Sequence, residues 1–386
     1  MTFDPAAATA AYIDALGSEA LTKAAAYTNG GHWLLLWGLL VTGVTCWLIL
    51  RLRILDRIAA RVPEPRVGLR TFLVCTAFMF VSALITLPWD LYTDWWRETQ
   101  YGRTSQPLGD FLGQGAISLA IGAILGGLFF LGVYALIIKA GRTWWLWSGG
   151  LSAFAISAML LLSPVLIEPL FNEFKPVPAG PVRDALLQMA DEAKIPHDRI
   201  FVYDGSRQSN NFTANVSGIL GSARIAISDV ALGKASLDEV KAVTGHEIGH
   251  YVLNHVWRSV LVLSSLAVLV FFVADLLFPQ VARLFGSSAT IADPLGFPVL
   301  IFTMSLLALI ASPVMNGLTR IGESEADSYS LRTVNLPDAL AGALVKTAEY
   351  RNPRPEPWAE FLFYTHPSVE RRVRAGMEWK AANPPG

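Results

Sequence analysis

Hydrophobic residues gather into six stretches: Trp33 to Leu50, Thr71 to Trp89, Phe111 to Ile138, Trp144 to Ile167, Ser259 to Phe278 and Leu295 to Met315. A helix crossing a bilayer core needs about 17 to 25 mostly apolar residues, so each stretch predicts a membrane span. The third is long enough to tilt or to hold a re-entrant end, and its Gly122-x-x-x-Gly126 spacing predicts close packing on a neighbouring helix. Residues 1–31 read as a polar or interfacial segment, and 32–167 as a four-helix membrane region. Residues 168–256 turn polar, with turn signals in "PVPAGP", a helix over "PVRDALLQMADEAK" and strand-like runs "RIFVYDG", "FTANVSG" and "SARIAIS". A membrane hairpin at 257–318 follows, and 319–386 is polar again. The predicted fold class is mainly α, a polytopic membrane protein of about six spans with an α+β lobe that carries a small sheet. The two polar segments flanking the hairpin would form that lobe.

Composition agrees: the 386 residues are 53% hydrophobic and 16% charged, with a mean hydropathy of +0.43. A lipid bilayer is therefore an expected partner. The formal net charge of -1 gives no basic field for nucleic acid. Cys46 and Cys75 lie in apolar runs and report neither a disulfide framework nor a cysteine metal site. Residues 1–31 lack the basic and apolar regions of a signal peptide. Six arginines between 51 and 70, with Lys139 and Arg142 on the same side, place those loops in the cytoplasm by the positive-inside rule. The lobe then falls on the opposite face. The sequence carries no signal of oligomeric state.

Three of the six histidines fall within "VTGHEIGHYVLNHVW". Ser236 followed by Glu239 forms a capping box, predicting a helix from Leu237 through this run. His246 and His250 are then one turn apart on one face, within reach of a single ion, with Glu247 beside it. This is H-E-x-x-H, the metalloprotease helix pattern in which the glutamate serves as general base. Zinc needs a third protein ligand and an open position, and "TRIGESEADSYS" offers Glu323. Asp327, four residues on, would orient a ligand histidine, with Arg320 one turn before. Glu325 should project away from that face. The same acids equally fit a solvated helix face with an Arg320 pair.

"GHEIGHYVLNH", "RIGESEADSYS" and "THPSVERR", in this order around a membrane hairpin, resemble the type I CAAX prenyl proteases. Upstream, "LPWDLYTDWW", "IEPLFNEFKPVPAG" and "IFVYDGSRQSNNFTANVSG" extend the resemblance. It implies one zinc ion held by His246, His250 and Glu323 in a zincin-like lobe, with Glu247 as base. It also implies His366 and Arg372 near the scissile carbonyl, and an edge strand around Thr213, Ala214 and Asn215 that pairs with an extended peptide. The expected activity is endopeptidase cleavage of peptide or protein substrates, possibly lipidated, as in removal of C-terminal residues from prenylated proteins. The heat-shock membrane protease HtpX, of the same clan, makes membrane-protein quality control the alternative, and a scaffold or transporter with a chance motif the remote one. Two features depart from the family: no counterpart of its first spanning helix precedes "KAAAYT", and Thr213 stands where asparagine is common. A family chamber walled by that helix would be open on one side or closed by another subunit. Eukaryotic members keep the lobe in the cytosol, against the charge count, and the membrane itself would be plasma or inner membrane in a bacterium and endoplasmic reticulum in a eukaryote.

The other histidines are expected to be bystanders. His255, five residues after His250, is rotated off the metal face and takes an interfacial position at the start of a spanning helix; His32 is an interface residue, and His197 sits in a proline-containing turn. Trp95, Trp96, Trp144 and Trp145 at span ends read as an aromatic belt, and Asp90 and Asp275 as solvated acids near span ends.

Overall fold

The computed structural model describes residues 3–384 apart from 64–65, 197–198 and 218–222, and the side chain of residue 349. His197 and the ends of two strand-like runs lie outside the described residues. The chain opens with α1 (Pro5–Asp14) and α2 (Ser18–Arg51), then a short α3 (Ile54–Ala59) and α4 (Val67–Asp90). After a π-helical turn at Leu91–Trp96 and α5 (Arg97–Gln100) come α6 (Leu108–Ala140) and α7 (Trp144–Leu162). Then follow β1 (Phe174–Pro176), α8 (Pro181–Glu192), β2 (Ile200–Tyr203), β3 (Ala214–Ser217), β4 (Arg224–Ser228), α9 (Asp229–Lys234) and α10 (Leu237–Val252). The membrane hairpin is α11 (His255–Leu284) and α12 (Phe297–Thr333), and α13 (Pro337–Lys346), α14 (Pro357–Phe363) and α15 (Val369–Ala382) complete the chain.

Five continuous helical stretches among the described residues are long and apolar enough to cross a membrane. One of them, Leu108–Leu170, is 63 residues long and folds back at Gly141, whose φ of 54° lies in the left-handed region. It therefore supplies two spans, α6 and α7, and the membrane-length helices are α2, α4, α6, α7, α11 and α12. Large side chains such as Leu84, Phe154, Leu261 and Ile310 face outward from them, which is where lipid replaces protein as the apolar partner. Their inner faces meet in a core that includes Phe78, Tyr134, Trp144, Phe271 and Phe297. Trp144, expected at the membrane interface, is buried instead: it packs edge-on against Phe271 and donates to Asp275 at 3.2 Å. The tight turn at Gly141 tucks it between α7 and α11, which also gives Asp275 a partner.

α2 begins at Ser18, so residues 18–31 form the first turns of a helix that continues into the membrane. α1 docks in the lobe, where Ile13 is buried with Leu331, Leu340, Val373 and Met377. The sheet has the order β1-β2-β4-β3, with β2 and β4 parallel and the two outer pairs antiparallel. β1 pairs with β2 from Phe174↔Tyr203 to Pro176↔Phe201, a short edge position that tolerates proline. Arg224 on β4 pairs with Glu168 below α7, and Arg207 reaches Asp110 at the start of α6 at 2.5 Å, so the lobe is pinned to the helix ends beneath it. Arg51, Arg53 and Arg283 gather around one cavity at the far ends of α2 and α11, remote from the lobe.

α6 meets α4 through small residues, though not both that the sequence singles out. A Cβ on Gly122 would meet nothing within 4 Å, whereas on Gly126 it would lie 2.5 Å from Met79 Cε and on Gly127 2.2 Å from Thr76 Oγ1. Gly127→Leu should therefore destabilise the protein by about 1–3 kcal/mol through overpacking while Gly122→Leu should be tolerated. Thermal unfolding of both variants in detergent checks this; equal midpoints would refute it.

Candidate active site

α10 starts where its cap dictates. Ser236 Oγ accepts from the Glu239 N–H at 3.2 Å, and Glu239 Oε2 accepts from the Ser236 N–H at 2.7 Å. Lys346 Nζ, 2.6 Å from the same carboxylate oxygen, ties α10 to α13. The helix then lies close on α12 because its facing positions are glycine. A Cβ on Gly245 would come 2.6 Å from Val334 Cγ2, and one on Gly249 would come 3.2 Å from the Ala326 Cα. The second obstacle is backbone and has little freedom to yield.

This approach turns the face bearing His246 and His250 onto the face bearing Glu323 and Asp327. The Nε2 atoms of the two histidines are 3.2 Å apart. Glu323 Oε2 lies 3.3 Å from His246 Nε2, and its Oε1 lies 3.4 Å from His250 Nε2. Glu323 Oε2 is buried and without a hydrogen-bond partner. Among the described residues these three form the cluster able to share a metal ion.

Around the cluster stand further groups. His246 Nδ1 is 2.8 Å from Asp327 Oδ1, and Arg372 grips that carboxylate with two bonds, Nε to Oδ2 and Nη2 to Oδ1, both 2.7 Å. The resemblance puts Arg372 at the scissile carbonyl; here its guanidinium is buried and committed to Asp327, with Nη2 3.8 Å from Glu323 Oε2. His366, in the turn between α14 and α15, places Nε2 3.3 Å from Glu323 Oε2. Arg320 does not join the cluster. It donates to the carbonyls of Glu360 at 3.0 Å, Phe361 at 3.3 Å and Tyr364, capping the end of α14. Open carbonyls at a helix end are a stronger demand than an exposed pair one turn away, so Arg320 steadies the turn that carries His366.

β3 is an edge strand among the described residues, paired with β4 from Ala214↔Ile227 through Asn215↔Ala226 to Ser217↔Arg224. The backbone of Val216 hydrogen-bonds the Glu247 carboxyl, so the free edge borders the motif. Thr213 precedes the strand and its hydroxyl meets Tyr203 OH at 2.9 Å. A cavity of about 260 Å³ opens beside the cluster, lined by His250 and Glu323 at one end and by Val262, Met315, Leu318 and Ile321 of the membrane hairpin at the other.

Burial sets the electrostatics. Desolvation pushes the Glu247 carboxyl up to about 7. Burial also holds His366 and His250 below the usual imidazole range, and the His246 charge lowers His250 further. For His246 burial acts the same way but is outweighed by the carboxylates of Asp327 and Glu323 beside it, which raise it. His255 is not the bystander its spacing suggests. It is buried, with Nδ1 2.8 Å from His250 Nδ1, because α10 ends at Val252 and left-handed Asn254 (φ 57°) restarts the chain in a new direction. The rotation expected of a continuous helix does not apply across that break.

Two family models divide the chain. The one for peptidase family M48 matches residues 176–380, and the one described as CAAX prenyl protease N-terminal, five membrane helices, matches residues 5–173. The chain belongs to peptidase family M48. Within the N-terminal match it has four membrane-length helices, α2, α4, α6 and α7, and the lobe-docked α1. The metalloprotease YhfN of Bacillus subtilis is 29% identical over 350 residues, covering 89% of this chain and 79% of that protein. CAAX prenyl protease 1 of Saccharomyces cerevisiae is 28% identical, covering 76% and 69%. The crystal structure of S. mikatae Ste24p superposes with a TM-score of 0.67 at 25% identity, covering 79% of this chain and 75% of that one. This M48 member is thus a multi-pass integral membrane protease of a family whose chemistry implies a metal.

Glu247 gives a pH-dependent prediction for the metal-free protein. Its pKa is raised from 4.5 to about 7 on folding, so its stabilising contribution is complete below the lower value and lost as pH rises through the upper one. Glu247→Gln should make the metal-free protein more stable than wild type at pH 8, by roughly 1–3 kcal/mol allowing for its partial exposure, with no difference near pH 4.5. Denaturation midpoints at the two pH values decide; a gap that does not change with pH would rule it out.

Proposed function

We propose that this chain is a zinc endopeptidase of the CAAX prenyl protease type, with His246, His250 and Glu323 as the metal ligands. The observation that carries the reading is the convergence of His246, His250 and Glu323, each offering a ligand atom within 4.8 Å of the others, with the two imidazole Nε2 atoms 3.2 Å apart and the two Glu323 carboxylate oxygens 3.3 Å from one and 3.4 Å from the other. A tetrahedral zinc with ligands at ~2.0–2.1 Å separates them by about 3.3 Å. The orphaned Glu323 Oε2 supports it, since a buried acceptor without a donor is costly unless a cation completes it. Zinc, when bound, would supply a Lewis acid for the attacking water and the carbonyl.

The remaining chemistry belongs to side chains. Glu247, with a carboxyl that holds and releases a proton near neutrality, takes the proton from the water that adds to the peptide carbonyl carbon. It delivers that proton to the amine nitrogen as the C–N bond breaks. His366 is positioned to donate to the oxyanion that develops on the carbonyl oxygen. Asp327 fixes the His246 tautomer so that Nε2 presents its lone pair, and Arg372 keeps Asp327 ionised and in place. Substrate backbone pairs with the β3 edge at Ala214, whose backbone groups face away from β4, which holds a peptide extended without reading its side chains. Selectivity then falls to the cavity between α11 and α12, whose apolar walls suit the lipidated end of a membrane-bound substrate.

The test compares farnesylated and unmodified versions of one peptide, cut by detergent-purified protein and read by mass spectrometry, with Glu247→Gln as control. We expect metal-dependent cuts near the lipidated C-terminus that the variant loses by at least about a hundredfold. Equal cutting of both peptides would replace this substrate class by unfolded membrane proteins. Neither cutting nor retained zinc would leave a scaffold.

A further inference from the structure

We infer that His255 is a positioning residue for the metal site: it selects the tautomer of His250 and aims its Nε2, and it draws its own anchorage from the membrane hairpin. The inference rests on the metal reading proposed above and extends it to a residue outside the H-E-x-x-H motif.

His250 Nε2 faces His246 and Glu323, so for that nitrogen to ligate a cation its lone pair must be free and the ring proton must sit on Nδ1. Nδ1 of His250 lies 2.8 Å from Nδ1 of His255. Two nitrogens at that distance need one donor and one acceptor, so His255 Nδ1 accepts and the His255 proton is placed on Nε2. That nitrogen lies 2.9 Å from Glu325 Oε2, and Arg258 Nη1 donates to the same oxygen at 2.7 Å. The proton order is therefore Nδ1–H on His250 and Nε2–H on His255, the latter facing Glu325 Oε2 at ion-pair distance but out of line for a hydrogen bond. Reversing it would point an N–H at the ion.

The two ligand histidines are thus supported differently. His246 meets its carboxylate, Asp327, directly, while His250 reaches Glu325 through an intervening imidazole. Glu323, Glu325 and Asp327 lie on one helix, and the first and last face α10 while Glu325 faces α11. Room for the detour exists at Gly322, where a Cβ would come 2.8 Å from Arg258 Nη2 and 3.6 Å from His255 Nδ1. His255 itself is only 6% exposed, so neither ring nitrogen has bulk water as a substitute partner.

The experiment measures zinc affinity by chelator competition on the full chain in detergent. The His255→Phe variant keeps the ring volume without an acceptor; His255→Asn puts an acceptor near the Nδ1 position; Glu325→Ala touches only the exposed end of the relay. We expect His255→Phe to weaken zinc about 10–100-fold, His255→Asn to recover most of that loss and Glu325→Ala to cost several-fold, with metal-free unfolding midpoints close to wild type for Glu325→Ala. Zinc held by His255→Phe as tightly as by wild type overturns the inference, and so does equal weakening by Phe and Asn, which would make the role one of packing. If His255→Phe does not fold, Glu325→Ala decides alone, and unchanged affinity there overturns it. His250→Ala separates the two readings: zinc retained in that variant would sink the metal site itself, whereas zinc lost there but kept in His255→Phe sinks only the role of His255.

Discussion

The close approach of α10 to α12 is the constraint on which the rest depends. Two glycines one turn apart, Gly245 and Gly249, each precede a ligand histidine by one residue, so the surface that permits contact and the surface that binds are adjacent strips of the same helix. With alanine at position 249 the Cβ would press on the Ala326 backbone at 3.2 Å, and the helices would separate by tenths of an ångström. The 3.2 Å between the two Nε2 atoms and the 3.3 and 3.4 Å approaches of the two Glu323 oxygens leave no slack for that. The helix interface sets the geometry of the proposed metal site, and the side chains inherit it.

α12 carries this constraint from the bilayer into the lobe. Its 37 residues make a rod of about 55 Å, against a hydrocarbon core of about 30 Å. Glu323 stands about 39 Å from its start by the same rise per residue, roughly two turns beyond the core. One continuous helix thus carries the membrane span, the proposed metal ligand Glu323 and Asp327. A buried carboxylate there demands a cation, and removing one partner of such a pair costs about 3–5 kcal/mol. Arg372 meets that demand from α15, the last helix, so the site closes only when the end of the chain docks. α1 packs on the same helix through Ile13, and both ends of the chain therefore converge behind the metal-binding face.

The sequence makes periodic features legible and hides those that depend on a break or a distant segment. The spans, the capping box, the face shared by His246 and His250 and that shared by Glu323 and Asp327 all follow from helical spacing. His366 and Arg372 lie on separate segments with no periodic relation to the motif, and only the family resemblance brings them in. Arg320 sits one turn from Glu323 on the helical count, yet its long side chain answers the open carbonyls of α14. Trp144 looks like any tryptophan at a span end until the turn at Gly141 buries it. β1 is three residues long and ends in proline, so it reads as a turn until an edge partner appears. His255 is misread because helical geometry is carried across Asn254, where the backbone is left-handed.

An edge strand beside the general base has a further consequence for selectivity. On the proposed reading, backbone pairing along β3 would align any extended peptide equally well, so the strand would supply orientation and no discrimination. Discrimination must come from groups that differ between substrates, and the described surface beside Glu323 that differs most from water is the apolar cavity of α11 and α12. Its walls, Val262, Met315, Leu318 and Ile321, belong to helices that also face lipid. A substrate whose apolar end already resides in the bilayer has gained its about 0.8 kcal/mol per methylene on entering the lipid, so moving to those walls exchanges one apolar surface for another and adds little hydrophobic free energy; what the bilayer contributes is proximity. On the proposed reading the membrane would then act as part of the binding site: it would concentrate substrates in the plane of the cavity, and the hairpin that shapes the cavity also holds Glu323 in register with it.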